Sequence, residues 1–218
     1  INARGQGPAW GSSLFEDNAE FGFGMMTSTL IKRRNLATRV QRILKDDSIP
    51  KSKELCASLQ TWLENPRDAD KCEACYDNCV RLLADEKKNH KELALLEEVI
   101  DVMPKLTQWV IGGDGWAYDI GYGGVDHVLA QGEDINILVL DTEMYANTGG
   151  QQSKATQMSA VAKFAAGGKR QMKKDMGKHM MGYKNIYVAS VAVGADPKQA
   201  LKALVEAQTC LLYTSPSP

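Results

Sequence analysis

The side chains best suited to hold a divalent cation lie at two points in the second half of the chain. Asp114 stands between Gly113 and Gly115, and 26 residues separate that triplet from Thr142. Mg²⁺ demands near-octahedral oxygen ligands at ~2.0–2.1 Å. The carboxylate of Asp114, the hydroxyl of Thr142 and the backbone carbonyl of Met144 could supply the protein's share of them. The spacing therefore predicts a magnesium site.

The same residues predict an anionic ligand beside the cation. Glycines on both sides of Asp114 let the backbone approach phosphates closely, because no Cβ stands in the way. The helix predicted after Gly115 would point its N-terminus, with unpaired N–H groups, at the anion. A diphosphate bound through Mg²⁺ is the ligand class that this pattern favours.

The glycine loop fits two further roles less well. The triplet could open a dinucleotide-binding fingerprint with Asp141 as the ribose acid, but the third glycine is replaced by Tyr118, so the fingerprint fails. Asp114 could also be a solvated turn acid. Asn147, in an Asn-Thr-Gly-Gly loop, could be a simple turn former.

Three clustered cysteines form the second group that could bind a metal. Cys72, Cys75 and Cys79 fit an iron–sulfur or zinc site, but such sites usually have four ligands and Cys56 is sixteen residues away. The three positions also share one face of a helix, and a free cysteine packs like a small hydrophobic residue. We favour core packing, with a non-catalytic Cys-cluster metal-binding module as the alternative.

The elements that must position these residues are predicted as an α/β fold. Apolar periodicity indicates a long helix from Leu30 to before Pro50, and further helices at 52–63, 69–89 and 91–103. After them, strands at 106–111, 135–140 and 186–193 alternate with helices at 119–130, 158–166, 171–180 and 197–208. Such βαβ units predict a parallel sheet with helices on both faces, and ligands bind at the carboxyl ends of its strands. Both glycine loops lie there.

Composition excludes several classes of function. The formal net charge is −1, which gives no global attraction to nucleic acid or anionic membranes, and no apolar run approaches the ~20 residues of a membrane span. Five cysteines, three of them clustered, favour a reducing compartment, so we expect a cytoplasmic protein. The basic run from Lys169 to His179 is interpreted as a solvated helix face, with a docking patch for an acidic partner protein as the alternative.

The sequence around the glycine triplet resembles a known family. Residues 112–156 (GGDGWAYDIGYGGVDHVLAQGEDINILVLDTEMYANTGGQQSKAT) are closely similar to the C-terminal cofactor domain of pyruvate:ferredoxin oxidoreductases. Residues 5–25 and 184–199 are similar to it as well. Residues 30–103 resemble it only in length and helical character.

The resemblance implies thiamine diphosphate as the cofactor. It implies that Asp114, Thr142 and the carbonyl of Met144 hold Mg²⁺. It also implies that Asn147 acts in catalysis by hydrogen-bonding the substrate near the reactive C2 carbon. The residues implied to line the cofactor are Gly113, Asp114, Gly115, Trp116, Thr142, Glu143, Met144, Tyr145, Ala146 and Asn147.

The resemblance further implies an activity. Family members oxidatively decarboxylate pyruvate to acetyl-CoA and CO₂, and pass electrons through [4Fe-4S] clusters to ferredoxin or flavodoxin. The alternatives are another 2-oxoacid:ferredoxin oxidoreductase or an NADP-linked fusion. By the same resemblance we expect a homodimer of a longer chain, with the cluster cysteines outside this sequence.

The domain prediction follows from these stretches. Residues 1–208 are expected to form one domain that binds thiamine diphosphate and Mg²⁺. Its fold is expected to contain a parallel sheet, with a helical insertion at about 26–104. Residues 209–218 do not match the family pattern and are interpreted as a disordered or artefactual tail, so Cys210 receives no role. Because the pyrimidine half of this cofactor is usually held by another domain or subunit, we expect the fragment alone to be catalytically inactive.

Overall fold

A computed structural model of the chain describes residues 7–13 and 16–209, so the predicted tail, with Cys210, lies outside the described residues apart from Thr209. The chain divides into two compact units. One comprises Ile1–Gly24 with Thr107–Pro218, and the other is Met25–Leu106. No helix in the described ranges is both long enough and apolar enough to cross a membrane.

The unit Met25–Leu106 is helical. Its four α-helices are α1 (Asn18–Lys45), which begins in the other unit, α2 (Lys53–Glu64), α3 (Ala69–Glu86) and α4 (Lys91–Glu97). Short 3₁₀ turns at Lys87–Asn89 and Ile100–Val102 complete it. Two helix starts are capped by side-chain oxygens that accept backbone N–H groups: Ser52 caps α2 and Asp68 caps α3.

The helical unit has its own apolar core, built from one face of each helix. Fully buried members include Leu59, Trp62 and Leu83. Trp62 Nε1 donates a 3.0 Å hydrogen bond to the carbonyl of Met103. The guanidinium of Arg33 donates to four backbone carbonyls, which ties the end of this unit to α1; they are those of Pro66, Val102, Met103 and Pro104.

The other unit contains the predicted parallel strands. β1 (Gln108–Gly113) pairs in parallel with β2 (Ile135–Leu140), in a register that sets Gly113 opposite Leu140. A π-helix (Gly115–Ile120) and α5 (Tyr122–Ala130) connect them, where the sequence predicted one helix at 119–130. After β2 come a short antiparallel hairpin of β3 (Met144–Tyr145) and β4 (Gln151–Gln152), then α6 (Met176–Met181) and α7 (Pro197–Thr209).

Two predicted elements are wrong. The helix expected at 158–166 is replaced by turns, because its apolar residues lie in solvent instead of on a buried face: Val161 is 71% and Phe164 85% exposed. The strand expected at 186–193 does not form in the described part of the chain. Its β-branched residues have no neighbouring strand to complete a ladder, and Val193 is 66% exposed.

The predicted α/β class holds in a coarser form than expected. The described residues are mostly helical, with a two-stranded parallel sheet and a two-stranded hairpin. The helix predicted at 171–180 is shorter, confined to α6. The elements that position the site are nevertheless formed, since β1, β2 and the loops that follow them are present.

Candidate functional site

The candidate site lies at the carboxyl ends of β1 and β2. Asp114 follows the last residue of β1, while Asp141 and Thr142 follow the last residue of β2. Because the two strands are parallel and Gly113 pairs with Leu140, the residues after both strands meet at one edge of the sheet. The spacing of 26 residues is therefore the length of one crossover between neighbouring strands.

The carboxylate of Asp114 is buried, with 1% of the residue exposed. Its Oδ1 accepts hydrogen bonds from the hydroxyl of Thr142 at 2.9 Å and from the Thr142 N–H at 3.3 Å. Its Oδ2 accepts from Ser153 Oγ at 2.5 Å. Among the described residues no lysine, arginine or histidine forms an ion pair with it, so only hydrogen bonds offset this buried charge.

Three oxygens, here called the oxygen cluster, converge at this point: Asp114 Oδ1, Thr142 Oγ1 and the carbonyl oxygen of Met144. Thr142 Oγ1 lies 2.9 Å from Asp114 Oδ1 and 3.2 Å from the carbonyl oxygen of Met144. The hydroxyl has one proton and two acceptors, so it can donate to only one of them at a time. A carboxylate, a hydroxyl and a carbonyl oxygen form the all-oxygen donor set that suits a hard cation such as Mg²⁺.

The turn at Glu143 produces this convergence. Glu143 has a left-handed backbone (φ 63°), which lets the carbonyl of Met144 return to the side chain of Thr142. Its N–H donates to Asp141 Oδ1 at 3.1 Å, and its carbonyl accepts from Thr156 Oγ1. The carboxylate of Glu143, predicted to line the cofactor, accepts from Gln157 at 2.9 Å and faces Lys173 at 3.3 Å.

A charged cluster stands beside the oxygen cluster. Asp141 Oδ2 accepts from the hydroxyl of Tyr118 at 3.0 Å and from the ammonium of Lys173 at 2.6 Å. Burial raises the pKa of Tyr118, and the hydrogen bond to Asp141 raises it further. Burial alone would lower the pKa of Lys173, but its bonds to Asp141 and Glu143 outweigh burial and raise it. The amine of Lys173 therefore stays protonated at neutral pH, beside the carboxylate of Asp141.

The two glycines that flank Asp114 have different surroundings. A Cβ at Gly113 would meet no atom within 4 Å, so one side of the loop is open. A Cβ at Gly115 would lie 2.4 Å from the ring of Tyr145, so that glycine is required by packing. Trp116, predicted to line the cofactor, is 8% exposed and belongs to the core of this unit, where its Nε1 has no acceptor among the described residues.

The hairpin holds the remaining predicted residues. Tyr145 lies over Gly115, whereas Ala146 and Asn147 are exposed in the turn between β3 and β4. The turn is closed by the N–H of Gly150, which donates to the carbonyl of Tyr145 at 2.8 Å. The side chain of Asn147 has no hydrogen bond to another described residue, so its amide is available to a ligand.

The cysteine cluster is part of the helical core. Cys72, Cys75 and Cys79 lie on α3 and are 0%, 5% and 0% exposed. Burial raises the pKa of Cys79 to about 12, with the neighbouring Cys75 adding to the shift. A thiol with this pKa stays protonated at neutral pH, whereas metals bind the thiolate. In the described ranges no group of three or more His, Cys, Asp or Glu side chains could hold a metal ion.

Sequence reasoning missed the residues that support the site. Ser153 and Thr156 contact Asp114 and Glu143 directly, and Lys173 pairs with Asp141. The small hydroxyl residues of the QSKAT stretch could have been found by asking which donors satisfy a buried carboxylate. No pattern in the sequence indicates the position of Lys173, because it lies 32 positions after Asp141.

The chain is similar to known proteins of one family. Residues 96–213 match the family described as thiamine pyrophosphate enzyme, C-terminal TPP binding domain. Pyruvate:ferredoxin oxidoreductase of Moorella thermoacetica is 50% identical over the whole chain, and pyruvate-flavodoxin oxidoreductase of Klebsiella pneumoniae is 50% identical over 95% of it. A mitochondrial pyruvate dehydrogenase [NADP(+)] of Euglena gracilis is 47% identical over 99%.

The chain spans only a small part of these relatives: 18%, 17% and 12% of their respective lengths. The family match covers more than half of the chain and includes β1, β2, the hairpin and every residue of the oxygen cluster. The chain therefore belongs to the family of the C-terminal TPP-binding domain of thiamine pyrophosphate enzymes, and it is homologous to the corresponding region of pyruvate:ferredoxin and pyruvate-flavodoxin oxidoreductases.

Proposed function

We propose that this chain binds Mg²⁺ and the diphosphate of thiamine diphosphate at the carboxyl ends of β1 and β2. The observation that carries the proposal is the position of two oxygens around the hydroxyl of Thr142. Asp114 Oδ1 lies 2.9 Å from Thr142 Oγ1, and the carbonyl oxygen of Met144 lies 3.2 Å from it. A cation among them would offset the buried charge of Asp114, which has no cationic partner among the described residues.

The open side of Gly113 supports the proposed diphosphate site. The Cβ position there is free of neighbours for 4 Å, and the residue is exposed. A diphosphate bound through the cation needs the backbone to approach closely on one side of Asp114. The space beside Gly115, on the other side of Asp114, is filled by the ring of Tyr145. We therefore propose that Gly113 is the glycine that faces the cofactor.

The chain's own residues would bind and orient the cofactor. When bound, thiamine diphosphate supplies the carbanion chemistry that removes CO₂ from a 2-oxoacid. Asp114, Thr142 and Met144 would hold the metal, and the charged cluster of Asp141 and Lys173 would keep the loop after β2 in place. Asn147 is proposed to donate its amide N–H to the substrate, since it is exposed and free of bonds to other described residues.

For the whole protein we propose oxidative decarboxylation of pyruvate to acetyl-CoA and CO₂, with ferredoxin or flavodoxin as the electron acceptor. The names of the Moorella and Klebsiella relatives support this activity. [4Fe-4S] clusters and a homodimer are part of the same proposal. We propose that this chain alone does not reduce methyl viologen with pyruvate and CoA, because it spans less than a fifth of those relatives.

An NADP-linked enzyme is the second candidate. The Euglena relative and a pyruvate dehydrogenase [NADP(+)] of Cryptosporidium parvum, 44% identical over 95% of the chain, are named for that acceptor. Both candidates require the same thiamine diphosphate site, so the cofactor proposal is independent of the acceptor. Pyruvate-dependent reduction of NADP⁺, compared with reduction of ferredoxin by the full-length protein, separates them.

Calorimetric titration with thiamine diphosphate tests the cofactor proposal. We expect binding with Mg²⁺ and none in EDTA, and we expect Asp114→Ala to abolish the Mg²⁺-dependent part. Asp101→Ala is the matched control, since Asp101 is an exposed acid of the helical unit. Binding that is indifferent to Mg²⁺, or unchanged in Asp114→Ala, would refute the proposal.

A further inference from the structure

The segment of residues 153–156, here called the bracket, contacts both parts of the chain that supply the oxygen cluster: Asp114 after β1 and the turn at Glu143 after β2. Its first contact is with Asp114. Ser153 is 4% exposed, and its Oγ lies 2.5 Å from Asp114 Oδ2. The same oxygen accepts the N–H of Ala155 at 3.1 Å, so the hydroxyl proton is directed to the carboxylate. With Oδ2 bound to Ser153, Oδ1 is the oxygen that remains beside Thr142.

The second contact of the bracket is with the turn at Glu143. Thr156 is 3% exposed, and its Oγ1 donates to the carbonyl of Glu143 while accepting the N–H of Ser153 at 2.9 Å. This bond holds the left-handed residue whose turn returns the Met144 carbonyl to Thr142. Thr156 therefore acts on the other half of the cluster.

The bracket is itself fixed by a buried lysine. Lys169 is 6% exposed, and its ammonium donates to the carbonyls of Thr156 at 2.6 Å and Lys154 at 3.2 Å. A third bond, from the Lys174 N–H to the Lys154 carbonyl at 2.9 Å, ties the bracket to the stretch before α6. The hydroxyls of Ser153 and Thr156 are thus held in place by contacts that do not involve the cation ligands.

We propose that Ser153 and Thr156 are positioning residues for the cation site. Ser153 fixes the orientation of Asp114, and Thr156 fixes the turn that brings the Met144 carbonyl to Thr142. The inference rests on the proposed function, because it concerns the same cation. Hydrogen-bond partners of metal ligands set ligand orientation, and removing one typically weakens metal affinity by about 10–100-fold.

The test uses Mn²⁺ as the probe in the presence of thiamine diphosphate. Free Mn²⁺ is measured by electron paramagnetic resonance for the 218-residue chain and for Ser153→Ala and Thr156→Val, and thermal unfolding is measured without metal. Thr156→Ser keeps the hydroxyl and is the matched control for Thr156→Val. Ser58→Ala, at a buried serine of α2, controls for loss of a buried hydroxyl elsewhere.

We expect Ser153→Ala and Thr156→Val to bind Mn²⁺ about 10–100-fold more weakly, and both controls to bind like the wild type. Wild-type affinity in the first two variants, with only a lower unfolding temperature, would show a structural role and overturn the inference. If Ser153→Ala fails to fold, the pair of Thr156 variants still decides. A wild-type chain that binds no Mn²⁺ overturns the proposed function and the inference together.

Discussion

The two glycines beside Asp114 give the sharpest mutational prediction. Replacing Gly115 with alanine places a Cβ 2.4 and 2.5 Å from two ring carbons of Tyr145 and 3.0 Å from a third. Ordinary van der Waals contact begins at about 3.4 Å, so the ring or the loop must move by about 1 Å. Replacing Gly113 adds the same methyl group where no atom lies within 4 Å.

The magnitudes follow from these distances. Overpacking typically costs ~1–3 kcal/mol, and a contact this short belongs in the upper half of that range, while alanine returns up to ~1 kcal/mol of backbone entropy, so Gly115→Ala should lower the free energy of unfolding by about 1–3 kcal/mol. Gly113→Ala has no clash to offset and should be neutral or stabilising by a few tenths of a kcal/mol. The double variant Gly115→Ala/Tyr145→Ala should lose less stability than the sum of its single changes.

Urea unfolding followed by circular dichroism measures these differences. Calorimetric titration measures how tightly the same variants bind thiamine diphosphate. Gly113→Ala should bind it more weakly than the wild type although its stability is unchanged, because its methyl group enters the space proposed for the diphosphate. A Gly115→Ala chain as stable as the wild type would show that Tyr145 does not lie over this glycine. Unchanged cofactor binding in Gly113→Ala would place the diphosphate elsewhere.

Two further predictions concern the cysteines and the ion pair. Cys75→Ser should lower the free energy of unfolding by ~1–2 kcal/mol, because it buries a hydroxyl at a position that is only 5% exposed. The iron content of the protein should not change. If anaerobically prepared protein is brown and loses that colour on this substitution, the result would favour a metal-binding module. The pKa of Lys173 is raised above its ordinary value of 10.5 in the folded chain. The stabilisation from its bonds to Asp141 and Glu143 is therefore complete below pH 10.5 and is lost as the pH rises through the folded-state pKa. The gap in urea midpoint between wild type and Lys173→Met should therefore be constant below pH 10.5 and narrow as the pH rises above it, and a gap that does not change above pH 10.5 would contradict this.

Local pattern was sufficient for the parts of the fold that position the site. Short apolar runs predicted β1 and β2, and because parallel strands align their carboxyl ends, the sequence also predicted that Asp114 and Thr142 meet. The Asn65-Pro66 pair predicted the end of α2, which ends at Glu64, whereas α1 ends at Lys45, five residues before Pro50. These features depend on neighbours in sequence or on one strand pairing.

The missed features depend on contacts between distant residues. The run at 186–193 has strand-like composition, but a strand also needs a partner, which no local pattern specifies. Glu143 and Trp116, predicted from the sequence as cofactor-lining residues, also contact Lys173 and the core respectively, and neither contact has a signal in the sequence. Ser153 was missed because its role exists only through a carboxylate 39 residues away.

A crystal structure of the chain with Mn²⁺ and thiamine diphosphate tests the central claim most directly, since the anomalous signal of manganese locates the metal without ambiguity. The account predicts one Mn²⁺ bound by Asp114 Oδ1, Thr142 Oγ1 and the Met144 carbonyl at ~2.1–2.2 Å, close to the Mg²⁺ distances, with diphosphate oxygens completing its shell. A metal held elsewhere, or a diphosphate bound away from Gly113, would contradict the account.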